Sequence, residues 1–590
     1  MAIPNARPNF LRMMHRKILF AAIALAAVAG LGVLLFAVLA PGGWTPWKIL
    51  VFFGLIVTNP WLGLGPGNGL IGFLLLVRER EPARAVLAVP GDIDTGPITA
   101  RTAIAMTIRA EDPRAFLPPL RRLLDGLDAA GVGDDFGLFV LSDTSDAALA
   151  TVEETAVAAF RAADKNPARV RYRRRADNTG FKAGNLMDFF DHHANGFDLA
   201  ITLDADSEMS ADAVIRLVRI MQAAPGVGLV QHLTVGLPAS SAFPRLFQFG
   251  MRAGMRTWAL GQAWWQGDEG PYWGHNAILR VAPFRKHCRL PDLPGGGTIL
   301  SHDQVEAALL RGAGWGVCMW AEETGSYEMN PPTLPEFLRR DERWMAGNLQ
   351  YRHLLRLPGL RAMGRWQLVQ AMLLFSGPPL YTAMLTLTAV AVAFGGGANV
   401  PRDKMLLLVL GWLVVVNAPK WLGYAEVFLR PRARARHGGG RKFAAGVCAE
   451  IVFTLLLDAI QMPHKTLALA RLALGARATW APQNRRDRGV TWAEAARLFW
   501  PHTVFGLFVL TLLAVGSWGA MFWALPFVIG LPLAIPFCVL TSAPKFSTWL
   551  RRRGVAAIPE EVPHTGASNF SRNHASGSAA AASNHSVISG

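Results

Sequence analysis

Charge is missing from long stretches of this chain, and those gaps constrain the fold more than any motif. Ile18–Ala40 is 23 residues without a charged side chain. Ile49–Val77, Leu368–Phe394 and Thr503–Ala543 are equally free of charge, and Met405–Tyr424 carries only Lys420, near its end. A bilayer core about 30 Å thick takes about 20 apolar residues as a helix, so each run is long enough to cross it. Thr503–Ala543, 41 residues, is too long for one span and reads as two, turning near Gly516–Gly519. Composition agrees, with 52% hydrophobic residues against 17% charged, where an ordinary soluble domain carries about 25% charged. That apolar content excludes a disordered polycation despite the net charge of +17.

Arg7, Arg12, Arg16 and Lys17 put the N-terminus on the cytoplasmic side. Arg430–Lys442 and Arg477–Arg497 are basic and belong inside as well. The stretch between them, Phe443–Gly475, holds Glu450, Asp458, His464, Lys465 and Arg471, with Pro463 in its middle. It is therefore expected to cross an even number of times. A tight hairpin would do this, as would a re-entrant piece followed by an interfacial helix from His464 to Arg477. Six to eight spans, an even total, follow. The first apolar run is longer than the core of a signal peptide and a second span follows it, so it reads as a retained helix. The tail after Arg553 is rich in Ser, Ala, Asn and His and is expected to be disordered. Cys288, Cys318, Cys448 and Cys538 have neither zinc-site nor disulfide-framework spacing.

The expected layout is a multi-pass α-helical membrane protein with an inserted cytoplasmic α/β domain. Residues 1–17 are a short basic arm and 18–77 two transmembrane helices. Residues 78–366 form the inserted domain, and 367–475 transmembrane and interfacial helices. Residues 476–500 are a basic cytoplasmic loop, 501–543 a transmembrane hairpin and 544–590 a cytoplasmic tail. Inside 78–366 strand and helix patterns alternate. Ala103–Ile108, Phe136–Leu141, Val170–Arg173, Asp198–Leu203 and Val227–His232 read as strands. Phe116–Ala130, Asp146–Ala163, Lys182–His192 and Ala211–Ala223 read as the helices between them. Repeated βα units argue for a mostly parallel sheet, and such sheets bind ligands at the carboxyl ends of their strands.

Three of those ends are acidic. Glu111 and Asp112 follow the first strand, Asp143 the second, and Asp204-Ala-Asp206 the fourth. A lone Asp after a strand is as well explained as a helix cap, and Asp112 and Asp146 share that reading. Two carboxylates two residues apart are costly unless a cation lies between them. Hard oxygen donors suit Mg²⁺ or Mn²⁺, which in turn bind substrate phosphates. Asn178-Thr-Gly-Phe-Lys182-Ala-Gly184-Asn185 opens a helix, where Lys182 and the helix N-terminus favour an anion; a Gly-rich turn and cap is the plainer alternative. Tyr272-Trp-Gly-His275-Asn276 offers aromatic, imidazole and amide groups to sugar hydroxyls, or is simply a structured loop. Asp303 stands at the start of another helix, as an N-cap with Glu306 completing a capping box or as a general base. Arg339-Arg340-Asp-Glu-Arg343-Trp344 pairs guanidinium with indole, for phosphate and stacking or on an interfacial helix.

In this order the motifs resemble the processive family-2 glycosyltransferases, which include cellulose, chitin and hyaluronan synthases. That family's signature runs D, D-x-D, T/S-E-D and Q-x-x-R-W. The matching residues are Asp143, Asp204-Ala-Asp206, Ser301-His302-Asp303 and Arg340-Asp-Glu-Arg343-Trp344, with the K-A-G-N element intact as Lys182–Asn185. The departures narrow the match. S-H-D in place of T-E-D, Arg340 in place of Gln, Tyr-Trp-Gly-His-Asn, Gly325-Ser-Tyr-Glu328 and Arg343-Trp-Met-Ala-Gly-Asn348 look like the glucans biosynthesis glucosyltransferase H family. Its members build the β-1,2-linked glucose backbone of periplasmic glucans in Gram-negative bacteria.

The resemblance implies a GT-A-like domain that transfers glucose from UDP-glucose with inversion and exports the glucan through a bacterial inner membrane, both termini cytoplasmic. Asp143, with the region of Glu111, would hold uridine. Asp204 and Asp206 would bind the metal and diphosphate, Lys182 would face the phosphates, and Asn185 of the same K-A-G-N element would belong to the substrate-binding set. Asp303 would be the general base. Arg340 and Arg343 would steady the pyrophosphate and Trp344 would stack on the acceptor sugar. His275 and Asn276 would contact sugar. Ala478–Gln483 takes the place of the gating loop of cellulose synthases, without its usual lysine. The implied partners are membrane lipid, UDP-glucose and the growing glucan, with an acyl carrier protein and a periplasmic glucan-processing protein as further partners to test. Anionic lipid accounts for the positive charge, so no nucleic acid is called for. Rival readings are another processive synthase making β-1,4-glucan or hyaluronan, a monotopic transferase making a lipid-linked sugar, and a transporter with a regulatory domain. Gly63–Gly69 lacks the Lys and Ser/Thr of a P-loop.

Overall fold

The computed structural model describes residues 10–87, 89, 93–396, 399–476 and 488–562. The inserted domain is built on a seven-stranded sheet. Its strands are β1 (Thr102–Ile108), β2 (Phe136–Ser142), β3 (Val170–Arg174), β4 (Leu199–Asp204), β6 (Val227–His232), β8 (Ala277–Arg280) and β9 (Gly316–Trp320). A second sheet of three short strands joins β5 (Ser207–Met209), β7 (Val235–Gly236) and β10 (Ser326–Glu328). The large sheet runs β3-β2-β1-β4-β8-β6-β9, and only β8 is antiparallel to its neighbours. Ala103, Ile104, Ala105 and Met106 are fully buried, because helices cover both faces; strands buried on both faces read as continuous apolar runs. The βα units expected from sequence form. The four residues of β8 and the small sheet are too short to carry a period and were not expected. Asp112 and Asp146 are indeed helix caps, accepting from the Arg114 and Leu149 amides at 3.0 and 2.9 Å.

The membrane block differs from expectation in three ways. Four helices are long and apolar enough to cross: Arg12–Leu39, Ala362–Ala393, Gly440–Ala473 and Trp492–Gly516. Two bent pairs, Pro46–Val57 with Leu62–Arg78 and Arg402–Val416 with Ala418–Leu429, bring the total to six at most among the described residues, so eight is too many. The second pair bends by 74° beside Pro419, whose ring leaves a helix one amide short. Residues 443–475 form neither a hairpin nor a re-entrant piece. They lie in the single helix Gly440–Ala473, which carries Pro463 inside it. The run Thr503–Ala543 turns at Ser517 as expected, but its second half breaks into Trp518–Val528 and Ala534–Ser542 rather than one full span.

The described part of the tail, residues 544–562, departs from the expected disorder. Pro544–Arg553 is a helix, and Ala556, Ala557 and Ile558 are buried beyond it. This segment packs on a long helix of the inserted domain, Ala242–Gln266. Arg245 donates to the Val555 carbonyl at 2.8 Å, and Arg252 grips the Glu560 carboxylate at 2.5 and 2.8 Å. The same helix receives the membrane block. A Cβ at Gly72 or Gly423 would overlap the backbone of Thr257 or Ala253, and one at Gly261 the backbone of Asn68. Small residues allow such close approach of helices. The domain is therefore seated on the membrane helices, not tethered to them.

Candidate active site

Register brings the acidic strand ends together. Ile108 pairs with Ser142 across β1 and β2, and Thr107 pairs with Asp204 across β1 and β4. The loops that follow these strands open into one cavity of about 690 Å³. Every site residue named from sequence lines it except Asn276. Asn276 is fully buried, and its amide donates to Ser326 Oγ at 2.9 Å and the Tyr327 carbonyl at 3.1 Å. It joins the two sheets and is removed from the set of sugar contacts.

At the β2 end, Asp143 is buried and accepts two bonds from Arg175, at 2.7 and 2.8 Å. Arg175 also donates to the carbonyls of Thr179 and Phe181, tying β2 to the start of helix Phe181–His192. Gly180 makes that start with φ at 72°, a conformation glycine adopts without steric cost. Lys182, in the first turn, forms an ion pair with Asp204. Asn185, one helical turn on, is buried and clamps the Leu141 carbonyl at 3.1 Å.

At the centre, β4 ends on Asp204 and β5 begins at Ser207, so Ala205-Asp206 is the tight link between the two sheets. Ser207 Oγ accepts the Asp204 amide at 3.1 Å and faces His275 Nδ1 at 3.3 Å. His275 Nε2 lies 3.5 Å from Glu328 Oε2 at the end of β10. Burial pushes the Glu328 carboxyl up, opposed by His275 and reinforced by Asp206.

Opposite stands Asp303 at the start of helix Asp303–Gly312. The expected capping box does not form. The N-cap position is His302, and Glu306 turns back to it, Oε2 lying 2.7 Å from Nδ1 with both side chains buried. Burial raises the Asp303 carboxyl above the usual range, against the pull of His302 and the Gln304 amide. Burial alone would depress the His302 imidazolium; the Glu306 carboxylate more than reverses it, so that pKa is raised.

The far wall belongs to helix Leu334–Leu349. Arg340 lies over Trp344 at 4.5 Å and Phe337 at 5.4 Å, a cation–π stack. Arg343 and the half-exposed Trp344 line the cavity. The two acidic residues between Arg340 and Arg343 pair with a neighbouring helix instead, Asp341 to Lys465 at 3.0 Å and Glu342 to His464 at 2.9 Å. The cavity continues to Met255 and Trp258 of helix Ala242–Gln266 and to Gln370 of helix Ala362–Ala393.

Sequence reasoning missed Arg175 and Glu328. Arg175 closes a basic run after β3, a strand-end position like the others. Glu328 carried no motif signal beyond its place in the quoted Gly-Ser-Tyr-Glu. The gating-loop match, Ala478–Gln483, lies outside the described residues.

A sheet of this topology with paired carboxylates at the β4 end, set on helices long and apolar enough to cross a membrane, defines a glycosyltransferase of GT-A-like fold. Residues 199–419 match the model described as glycosyl transferase family group 2. Similar curated proteins are named glucans biosynthesis glucosyltransferase H. The protein from Xanthomonas campestris pv. campestris is 33% identical over 89% of this chain and 84% of its own. Those of Bradyrhizobium diazoefficiens and Shewanella oneidensis are 34% and 32% identical, over 75% and 74% of their lengths and 93% and 89% of this chain. The chain belongs to the glucans biosynthesis glucosyltransferase H family. Among solved structures, a mannosyltransferase from Pyrobaculum calidifontis in complex with GDP-mannose and Mn²⁺ is similar at TM-score 0.41 and 14% identity, covering 64% of this chain and 99% of that one.

Proposed function

We propose that the protein is an inner-membrane enzyme that polymerises glucose from UDP-glucose, with inversion, into the β-1,2-linked backbone of periplasmic glucans. The observation that carries this reading is the single cavity in which Asp143, the Asp204–Asp206 turn, Lys182, Asp303 and the Arg340–Trp344 stretch all stand. Uridine takes the end at Asp143 and Glu111, where a buried carboxylate is already oriented by Arg175. The diphosphate lies by Lys182, with Arg343 and Arg340 on the facing wall. Among the described residues no three His, Cys, Asp or Glu side chains are arranged to hold a metal. Asp204 and Asp206 give two hard oxygen donors, a half-site that fits Mg²⁺ or Mn²⁺ when phosphate oxygens complete it. When bound, that ion would offset charge on the departing diphosphate.

Asp303 takes the proton from the acceptor hydroxyl as its oxygen attacks the sugar's anomeric carbon, and UDP leaves on the opposite side. One base suffices for a single inverting displacement. Trp344 offers its exposed face to the acceptor sugar, and Gln370 with Trp258 leads the chain toward the membrane helices. Helix Gly440–Ala473 supports a cytoplasmic site. It meets helices of the inserted domain at both ends of a stretch from Glu450, beside Gly250, to Lys465, on Asp341. The two contacts are about 22 Å apart along the helix at 1.5 Å per residue. We therefore place it along the membrane face under the domain, with Trp492–Gly516 crossing outward and the short helices Trp518–Val528 and Ala534–Ser542 together returning as a broken span. This keeps the basic segment Arg430–Lys442, the domain and residues 544–562 on the cytoplasmic side.

The test is synthesis by purified protein in vesicles supplied with labelled UDP-glucose and Mg²⁺, followed by linkage analysis. A β-1,2-linked glucan is expected, lost in Asp303→Asn and in Asp206→Asn. A β-1,4-linked product would overturn the linkage, and no glucan at all would overturn the reading.

A further inference from the structure

Glu328 is a carboxylate in the cavity for which the transfer reaction, as set out above, has no use. It is not on the donor side. In the sheet order, β2 and β1, whose ends take the uridine, lie to one side of β4. Strand β8, which begins two residues after His275, lies on the other side. Glu328 belongs with that second side. It ends β10 and pairs in register with Ser207, the residue directly after Asp206. The line across the site is thus Asp143, Asp204 and Asp206, then His275 and Glu328.

The side chain is built in. Its Oε2 lies 3.5 Å from His275 Nε2, while Nδ1 of the same ring meets Ser207 Oγ and Asn276 Oδ1 at 3.3 and 3.2 Å. The strand beneath is held in turn, since Asn276 donates to the Tyr327 carbonyl. Roughly a quarter of the side chain, 27%, is exposed, and that part faces the cavity. A carboxylate is an acceptor with about four lone-pair sites. One imidazole leaves most of them for a ligand, and although the Arg340 charge also reaches this carboxylate, Glu328 itself with Asp204 and Asp206 leaves no positive excess here for a second anion. What remains is a neutral ligand rich in O–H donors, which describes a sugar and not a diphosphate.

We propose that Glu328, held by His275, is an acceptor-orienting carboxylate. It accepts a hydrogen bond from a hydroxyl of the terminal sugar of the growing glucan and so helps decide which neighbouring hydroxyl reaches Asp303. The inference rests on the glucosyltransferase reading above. It makes Glu328 a specificity residue on the acceptor side, whose loss spares donor binding and bond cleavage to water.

The experiment uses full-length protein in vesicles with labelled UDP-glucose, comparing the unsubstituted chain with Glu328→Gln and Glu328→Ala. Labelled glucan, labelled free glucose and UDP are measured together, UDP binding is measured by calorimetry, and folding by thermal melting. In Glu328→Ala, glucan is expected to fall at least tenfold while UDP release falls less than threefold, the difference appearing as free glucose. UDP affinity stays within twofold. Glu328→Gln, which keeps the volume and one acceptor oxygen, is expected to fall between the two and to melt with the unsubstituted protein. Parallel loss of glucan, free glucose and UDP affinity in Glu328→Gln would move the residue to the donor side and overturn the proposal. An unchanged ratio of glucan to free glucose in that variant would overturn it too. If the unsubstituted protein makes no glucan, it is the glucosyltransferase reading that fails.

Discussion

His302 and Glu306 form a buried pair, Nδ1 to Oε2 at 2.7 Å, one residue behind the proposed base Asp303. The pair keeps an imidazolium charge against a carboxyl that burial would otherwise neutralise. Asp303 still titrates above the ordinary carboxylate range, and it must be ionised to take a proton. Activity is therefore expected to rise with pH through an acid limb above about 4, the value of an exposed Asp. His302 lowers the Asp303 pKa, so removing its charge in His302→Gln raises that pKa and moves the acid limb to higher pH. A pH–rate profile of glucose incorporation checks this; a limb that stays in place or moves down would sink the electrostatic role.

Lys182 and Asp204 make opposite demands on the site. The ammonium is paired to a carboxylate proposed to hold the metal, yet it is also proposed to face the donor's phosphates. Lys182→Met removes one positive charge beside the half-site. Metal should then bind more tightly, and UDP-glucose more weakly, with KM up about tenfold, a loss of about 1.4 kcal/mol. Titrating Mn²⁺ at fixed donor, and donor at saturating Mn²⁺, separates the two effects. Both affinities falling together would mean that the lysine merely supports the fold.

The βα core was legible because its strands are buried on both faces and its helices are amphipathic, so each element states its own period. Strand-end carboxylates were legible for the same reason: a parallel sheet places them at one edge. Glu328 was not, since its three-residue strand acts through pairing with β5, where its partner Ser207 is 121 positions away in the chain. The single helix Gly440–Ala473 was not expected because the basic segments on either side of it were read as requiring an even number of crossings, and its charges gave no sign of their partners. They answer to partners on other helices, Glu450 to Lys420 and Lys465 to Asp341. Asn276 misled through its position in a sugar-like motif, where only the fold reveals an amide turned inward.

Gly274 sits between the base and the lysine with φ at 85°. A methyl there would stand 3.5 Å from Asp303 Cβ, 3.9 Å from its Oδ2 and 3.6 Å from Lys182 Nζ. It would fill the space a reacting sugar needs, and the left-handed backbone adds strain. Gly274→Ala is expected to lower transfer at least tenfold with UDP binding nearly unchanged, because the proposed uridine end lies beyond β4. Calorimetry with UDP beside a turnover assay tests it; full activity would place the sugar elsewhere.

Arg252 is buried between Glu323 and Glu560, and Glu560 comes from the segment that follows the last helix. Tyr327 on β10 also reaches Glu560, at 3.3 Å. The C-terminal segment therefore braces both the helix that carries Met255 and Trp258 and the strand that carries Glu328. Removing one partner of a buried ion pair costs about 3–5 kcal/mol, because the other charge is left behind. Arg252 keeps Glu323, so the loss in Glu560→Ala should lie toward the lower end. A fall of several degrees in the melting temperature of detergent-solubilised protein is expected, together with a lower yield of glucan per UDP released. Glu561, whose partner Arg245 keeps the Val555 carbonyl, should matter less. Equal and negligible shifts for both would show that residues 554–562 dock without bracing the site.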